Sequence, residues 1–172
     1  MATEVEIKAH VYDVEGLRAK LTAQFGAPKV IQKQDYYYRH AGSNEDNIRL
    51  RLGNGQWVVT YKERHMDGGI ECNNEIEFGI DQHEAFASFL HQLQFGSSFH
   101  KQKDVELFCD GDLAYELCYV HDLGWFIEIE QVCNQLDEVE QAKIRVYNAL
   151  MALGIAEKDI APLSYKKLLG HA

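Results

Sequence analysis

Charged residues recur at every second position along several strand-like segments, and this spacing restricts the chain more than any other feature it has. In Glu4-Val5-Glu6-Ile7-Lys8, strand alternation puts Glu4, Glu6 and Lys8 on one face and Val5 and Ile7 on the other. Arg49 and Arg51 share a face opposite Ile48, Leu50 and Leu52, and Lys62 ends the segment that follows. Glu75 and Glu77 flank Ile76, Lys101 and Lys103 repeat the spacing, and Glu128 and Glu130 alternate with Ile127 and Ile129. For one strand alone, charges turned to solvent would explain the pattern. For the set they do not, because acidic and basic pairs recur on separate strands, which a barrel filled with hydrocarbon does not require. The alternative is a barrel with a polar interior, in which one wall supplies carboxylates and another supplies lysine and arginine.

The segments between these strands read as turns and a few helices. Asp13 is placed to cap a helix with the stripe Val14, Leu17, Leu21 and Phe25, ended by Gly26 and Pro28. Val30 to Arg39 reads as a strand, 42–47 as a polar loop, and Gly53-Asn54-Gly55 as a tight turn joining Ile48–Leu52 to Trp57–Lys62. Met66 to Gly69 reads as a second loop, followed by a strand over Asn74–Phe78. Asp81 and Glu84 have capping-box spacing ahead of Phe86, Phe89, Leu90 and Leu93, with Gly96 as the stop. Strands follow over Lys101–Cys109, Leu113–Val120 and Phe126–Val132. A third helix begins with Asp137 and Glu140 at capping-box spacing, uses Val139, Val146, Leu150 and Leu153, and stops at Gly154. A short amphipathic segment, Ser164–Leu169, closes the chain. The expected fold is α+β: an antiparallel barrel of about eight strands with flanking helices, closed because closure removes the strand edges.

Length and composition bound the function. A chain of 172 residues with 46% hydrophobic residues is expected to form one domain over 1–172. A formal charge of −10 argues against sequence-independent nucleic-acid binding and against attachment to anionic membranes. Neither a signal peptide nor a long apolar span is evident, so a cytoplasmic location is expected. Cys72, Cys109, Cys118 and Cys133 stand far apart and read as reduced thiols, and none of the histidines is spaced as a metal ligand.

The polar walls suit one kind of ligand. Carboxylate oxygens match Mg²⁺ or Mn²⁺, which bind through a few carboxylates together with phosphate oxygens and water. Arginine offers bidentate donors to phosphate and lysine a point charge. A tunnel with both is a receptor for a metal-bound polyphosphate.

At this point the residues resemble a known family. Glu4-x-Glu6-x-Lys8 is similar to the E-x-E-x-K signature of the CYTH superfamily, the triphosphate tunnel metalloenzymes. The strand Asp35-Tyr36-Tyr37-Tyr38, Arg49-x-Arg51, Thr60-x-Lys62, Glu75-x-Glu77, Lys101-x-Lys103, Leu123-Gly124-x-Phe126-x-Glu128-x-Glu130 and Ser164-Tyr165-x-x-Leu168-Leu169 follow in the family's order. The resemblance implies an eight-stranded antiparallel β-barrel, the triphosphate tunnel, that binds triphosphate with Mg²⁺ or Mn²⁺. It implies metal-side carboxylates at Glu4, Glu6, Glu128 and Glu130, and phosphate contacts from Lys8, Arg49, Arg51, Lys62 and Lys101 or Lys103. Glu75 or Glu77 would orient a base, water or metal in catalysis beside Lys8, and Lys166 or Lys167 would reach the tunnel mouth.

The implied activity is metal-dependent hydrolysis of a small-molecule triphosphate (tripolyphosphate, thiamine triphosphate or a nucleotide such as ATP). One alternative is a class IV adenylyl cyclase, which converts ATP to cyclic AMP and pyrophosphate. Another is a non-catalytic nucleotide or polyphosphate binder, and a homodimer is compatible with the sequence. Two positions depart from the family pattern. Lys103 stands where an arginine is usual, and Leu117-Cys118 stands where a Leu-Asp pair is usual. A thiol is a poor ligand for a hard cation, so Cys118 is expected to weaken a metal position, with Glu116 or Asp122 as substitutes. Trp125 also departs from the small or acidic residue that is common at its place.

Overall fold

Eight strands close on themselves in the order β1-β5-β4-β3-β2-β6-β7-β8, every neighbouring pair antiparallel, with β8 returning to β1. The computed structural model describes residues 2–170. The strands are β1 (Ala2–His10), β2 (Lys29–His40), β3 (Ile48–Gly53), β4 (Gln56–Asp67), β5 (Ile70–Ile80), β6 (Phe95–Asp110), β7 (Leu113–Val120) and β8 (Gly124–Cys133). The helices are α1 (Val14–Phe25), α2 (His83–Gln92), α3 (Val139–Ala152) and the single turn α4 (Tyr165–Leu168). Among them none is long and apolar enough to cross a membrane.

The apolar core lies outside the barrel wall. Val5, Ile7 and Ala9 of β1, Leu117 of β7, and Ile127 and Ile129 of β8 point outward and pack with Leu17 and Leu21 of α1 and Ala142, Val146 and Leu150 of α3. Each fully buried aliphatic side chain of this kind stabilises the fold by roughly 1.5–3 kcal/mol. Because strand alternation is strict, burying Val5 and Ile7 against helices commits Glu4, Glu6 and Lys8 to the interior. The polar interior is a geometric consequence of that outer core.

Local signals fix some ends and not others. The Asp13 side chain accepts the Gly16 backbone N–H at 3.0 Å and starts α1. Asn54 and Gly55 both take positive φ, 51° and 78°, as the tight β3–β4 hairpin requires. The Met66–Gly69 loop is instead part of a long hairpin: β4 runs to Asp67 and β5 begins at Ile70, with only Gly68 and Gly69 in the turn. Helix α2 begins at His83 after Gln82, with no side-chain cap, so the expected Asp81–Glu84 box does not form. Its stop is Gln94, whose φ of 65° does what Gly96 was expected to do, and Gly96 lies inside β6. Of its expected stripe only Leu90 is buried; Phe89 and Leu93 remain about half exposed on the barrel's outer side. Ahead of α3 the capping box is Gln135 with Glu138, in a short 3₁₀ turn, two residues earlier than the Asp137–Glu140 pair.

Candidate active site: a charged tunnel

The inward faces of all eight strands enclose a cavity of about 510 Å³ whose lining holds nine carboxylate and nine lysine or arginine side chains. The chain's net negative charge therefore resides elsewhere, while the tunnel is close to balance. Glu4, Glu6, Lys8, Arg49, Arg51, Lys62, Glu75, Glu77, Lys101, Lys103, Glu128, Glu130 and Lys166 all line this one cavity.

On the acidic side, Glu6 of β1 lies directly opposite Glu130 of β8, with Glu4 two positions along. One carboxylate oxygen from each of these three lies within 4.8 Å of the others. Like charges directly opposite on a sheet repel, and the protonation equilibria register it. Burial, then Glu128 and Glu71, push the Glu6 carboxyl up to about 7. Burial, then Glu4 and Glu116, push Glu130 well above the carboxylate range. Glu4 behaves oppositely: burial alone would raise it, but Lys62 at 2.9 Å, with Arg49 and Arg51, holds it at about 2. Three converging carboxylates, of which Glu4 is paired with Lys62, Glu6 lies 3.9 Å from Lys8 and Glu130 has no ion-pair partner among the described residues, fit a hard divalent cation held through oxygen. Glu128 stands apart from this trio, bound to the Lys103 ammonium at 2.6 Å.

The opposite wall is cationic but tied. Arg51 makes a bidentate pair with Asp35 at 2.6 and 2.9 Å, and Lys101 reaches the same carboxylate at 3.2 Å. Lys62 bridges Glu4 at 2.9 Å and Glu75 at 2.8 Å. Lys8 is held by Glu71. Arg49 Nη2 donates to the Thr60 hydroxyl at 3.0 Å, which donates in turn to Glu77 at 2.8 Å. Its Nε is buried without a partner among the described residues, a donor left for an anion. Glu77 is half exposed at the rim, 3.7 Å from Arg49. Burial, against Lys62, raises the Glu75 carboxyl. Lys166 of α4 is bound to Asp46 at 2.7 Å, which pins the C-terminal turn to the loop before β3.

The lining residues Lys33, Arg64 and Glu71 carried no role in the sequence reading, nor did Asn73 beside them, while Tyr37 of the lining and the buried Asp35 figured there only as part of a motif. The available signal was the same period of two, continued outward along each strand (Lys33-x-Asp35-x-Tyr37 and Glu71-x-Asn73-x-Glu75). Cys118 lies on the inward face of β7, yet it packs among Val105, Val120, Phe126, Ala161 and Tyr165, an apolar plug beyond the charged zone. Burial, then Glu128, push its thiol up, so it stays neutral. Glu116, one strand step back, lines the tunnel, whereas Asp122 is exposed in the β7–β8 turn and not part of the lining. Trp125 lies outside, under the Arg18 guanidinium at 5.3 Å.

The CYTH domain family model matches residues 2–165. This chain belongs to the CYTH family. A Methanocaldococcus jannaschii protein provisionally named an adenylate cyclase is 29% identical over 97% of this chain and 98% of its own. The solved structure of the Pyrococcus horikoshii protein PH1819 superposes with a TM-score of 0.81 at 28% identity, covering 96% of this chain and 97% of that one. A Hippeastrum protein described as having a dominant triphosphatase activity shares the fold, with a TM-score of 0.69 at 15% identity over 100% of this chain and 97% of its own. CYTH relatives are thus enzymes named for cyclase and triphosphatase chemistry, and the barrel described above is their fold.

Proposed function

We propose that this CYTH chain hydrolyses a small-molecule triphosphate inside its tunnel with the help of a divalent cation. The observation that carries the reading is the division of one closed cavity into a carboxylate trio, Glu4, Glu6 and Glu130, and a facing wall of arginine and lysine. A bound Mg²⁺ or Mn²⁺ would supply charge neutralisation for phosphate oxygens. The chain's own residues do the rest by positioning and electrostatics. Arg49, through its unpaired Nε, and Arg51, Lys62 and Lys101 hold the phosphate oxygens, with Lys8 beside the trio. Glu75 and Glu77 orient a water for in-line attack on the terminal phosphorus. The new P–O bond forms as the bridging P–O bond breaks, and the water's proton passes to a Glu75 carboxylate oxygen. Glu128 acts through Lys103, which it holds.

Hydrolysis is favoured over cyclisation because the lining is dominated by paired charges, and its Tyr37 and Phe99 rings pack on each other at 5.4 Å. That leaves little flat apolar surface for a nucleobase. The name of the Methanocaldococcus jannaschii relative supports the cyclase as the second reading. Product analysis with ATP, thiamine triphosphate and tripolyphosphate, each with Mg²⁺ or Mn²⁺, separates them. Orthophosphate is expected. Cyclic AMP with pyrophosphate would install the cyclase reading, and metal-dependent binding without product would make the chain a binder. Neither product nor binding would remove the proposal.

The cationic wall also predicts a pH limit. Burial would raise the Tyr37 phenol, but Lys101, Arg49 and Arg64 outweigh it and bring it down to about 8. Since the phenol's unfolded value is about 10, the stability it adds is fully present above that pH and is lost as pH falls through 8. A polyanion beside Tyr37 opposes the phenolate, so tripolyphosphate affinity is expected to fall as pH rises through 8, by at most about tenfold per unit. An absorbance titration should show one tyrosinate forming near pH 8, moved upward by tripolyphosphate and absent in Tyr37→Phe. A wild-type curve with no step below about pH 9.5 would contradict this.

A further inference from the structure

Two lysines face each other inside the barrel beside a second pair of facing acids. Lys33 of β2 is the direct cross-strand partner of Lys103 of β6. Like charges in that position destabilise a sheet unless something negative is held between them. Here it is Glu116 of β7, whose two oxygens are taken separately. Lys33 occupies Oε1, and Lys103 occupies Oε2 at 3.1 Å while also binding Glu128 at 2.6 Å. The side chains of Lys103, Glu116 and Glu128 are 3–5% exposed and that of Lys33 13%. Glu116 and Glu128 are directly opposite on β7 and β8, as Glu6 and Glu130 are on β1 and β8. The barrel therefore contains two facing acidic pairs. One is left for an external cation, and the other is already neutralised by ammonium groups.

We propose that Lys33 is a positioning residue, an internal counter-ion that restricts the tunnel to a single divalent cation. This rests on the metal-dependent reading above. A second ion at Glu116 and Glu128 would have to displace the Lys33 ammonium from Glu116 Oε1, the oxygen that Lys103 does not take, against the nearby charge of Arg51. Without the Lys33 charge, Glu116 Oε1 is freed beside Glu128, its direct partner on β8, and the pair can take an ion.

The test is the stoichiometry of Mn²⁺ alone, without polyphosphate, measured by calorimetry and by the electron paramagnetic resonance of unbound ion. Wild type and Lys33→Arg are expected to bind one Mn²⁺ per chain and Lys33→Met two. The double variant Lys33→Met/Glu116→Gln should return to one. Glu116→Gln alone keeps the lysine and releases it towards Glu130, so its single site should weaken about tenfold. This second variant decides the matter if Lys33→Met does not fold. Two ions on wild type, one on a folded Lys33→Met, or unchanged affinity in Glu116→Gln would overturn the role of Lys33 and leave the triphosphate reading standing. No Mn²⁺ on wild type would overturn the metal-dependent reading itself.

Discussion

Asp35→Ala is expected to destabilise the protein by about 3–5 kcal/mol, the usual cost of removing one partner from a buried ion pair. Asp35 is fully buried, and its carboxylate is the shared acceptor for Arg51, in two hydrogen bonds, and for Lys101. Burial would raise its pKa, but Arg51 and Lys101 hold it well below the usual carboxylate range. Alanine leaves two cations inside the barrel with no acceptor at their former position, and neither can snorkel to water from mid-strand. For a chain of this size the loss corresponds to a melting temperature lower by roughly 6–20 °C. Asp35→Asn keeps the shape and part of the hydrogen bonding, so it should fall between wild type and alanine. An anion bound beside Arg51 would replace some of the missing charge, so tripolyphosphate should raise the melting temperature of Asp35→Ala more than that of wild type. Urea unfolding with an Asp35→Ala loss below about 1 kcal/mol would mean that solvent, not Asp35, balances Arg51 and Lys101.

The sequence discloses which face each charge occupies, because that depends only on the period of two and on where the aliphatic residues go. Val5 with Ile7, and Ile127 with Ile129, need a helical partner, and burying them turns Glu4, Glu6, Glu128 and Glu130 inward. Which lysine meets which acid is not disclosed. Lys62 reaches both Glu4 and Glu75 because β5 lies between β1 and β4, a neighbour relation set by closure of the barrel. Lys103 lies on the expected face but is held by Glu116 and Glu128, a fact that depends on the register of β6 against β7 and β7 against β8. Glu71 and Asn73 escaped attention because Met66–Gly69 reads as a loop. Gly68 and Gly69 alone make the turn, and the ladder beyond them is held by pairing, not by local propensity. The displaced capping boxes have a similar origin: strand pairing carries β5 to Ile80 and β8 to Cys133, and each helix starts where the ladder releases the chain.

Glu130→Gln should act in opposite directions on stability and activity. The Glu130 carboxylate is directly opposite Glu6, within reach of Glu4, and has no lysine or arginine within ion-pair distance among the described residues. In the metal-free protein it contributes repulsion, and an amide of the same shape removes the charge while keeping the packing. The metal-free variant is therefore expected to unfold at higher urea than metal-free wild type, by an amount on the order of 1 kcal/mol, the differential interaction of about one pKa unit. With Mg²⁺ or Mn²⁺ present the order should reverse, since cation binding stabilises a fold in proportion to the logarithm of its occupancy and the variant has lost one of three anionic ligands. Triphosphate turnover should drop by about 10²–10³-fold, the scale seen when one preorganised electrostatic contact to a reacting centre is lost. Such crossed effects identify a site whose acids were assembled at a cost to the fold. A variant less stable than wild type without metal would show that Glu130 is a structural carboxylate. The cation would then have to be held by Glu4 and Glu6 without it.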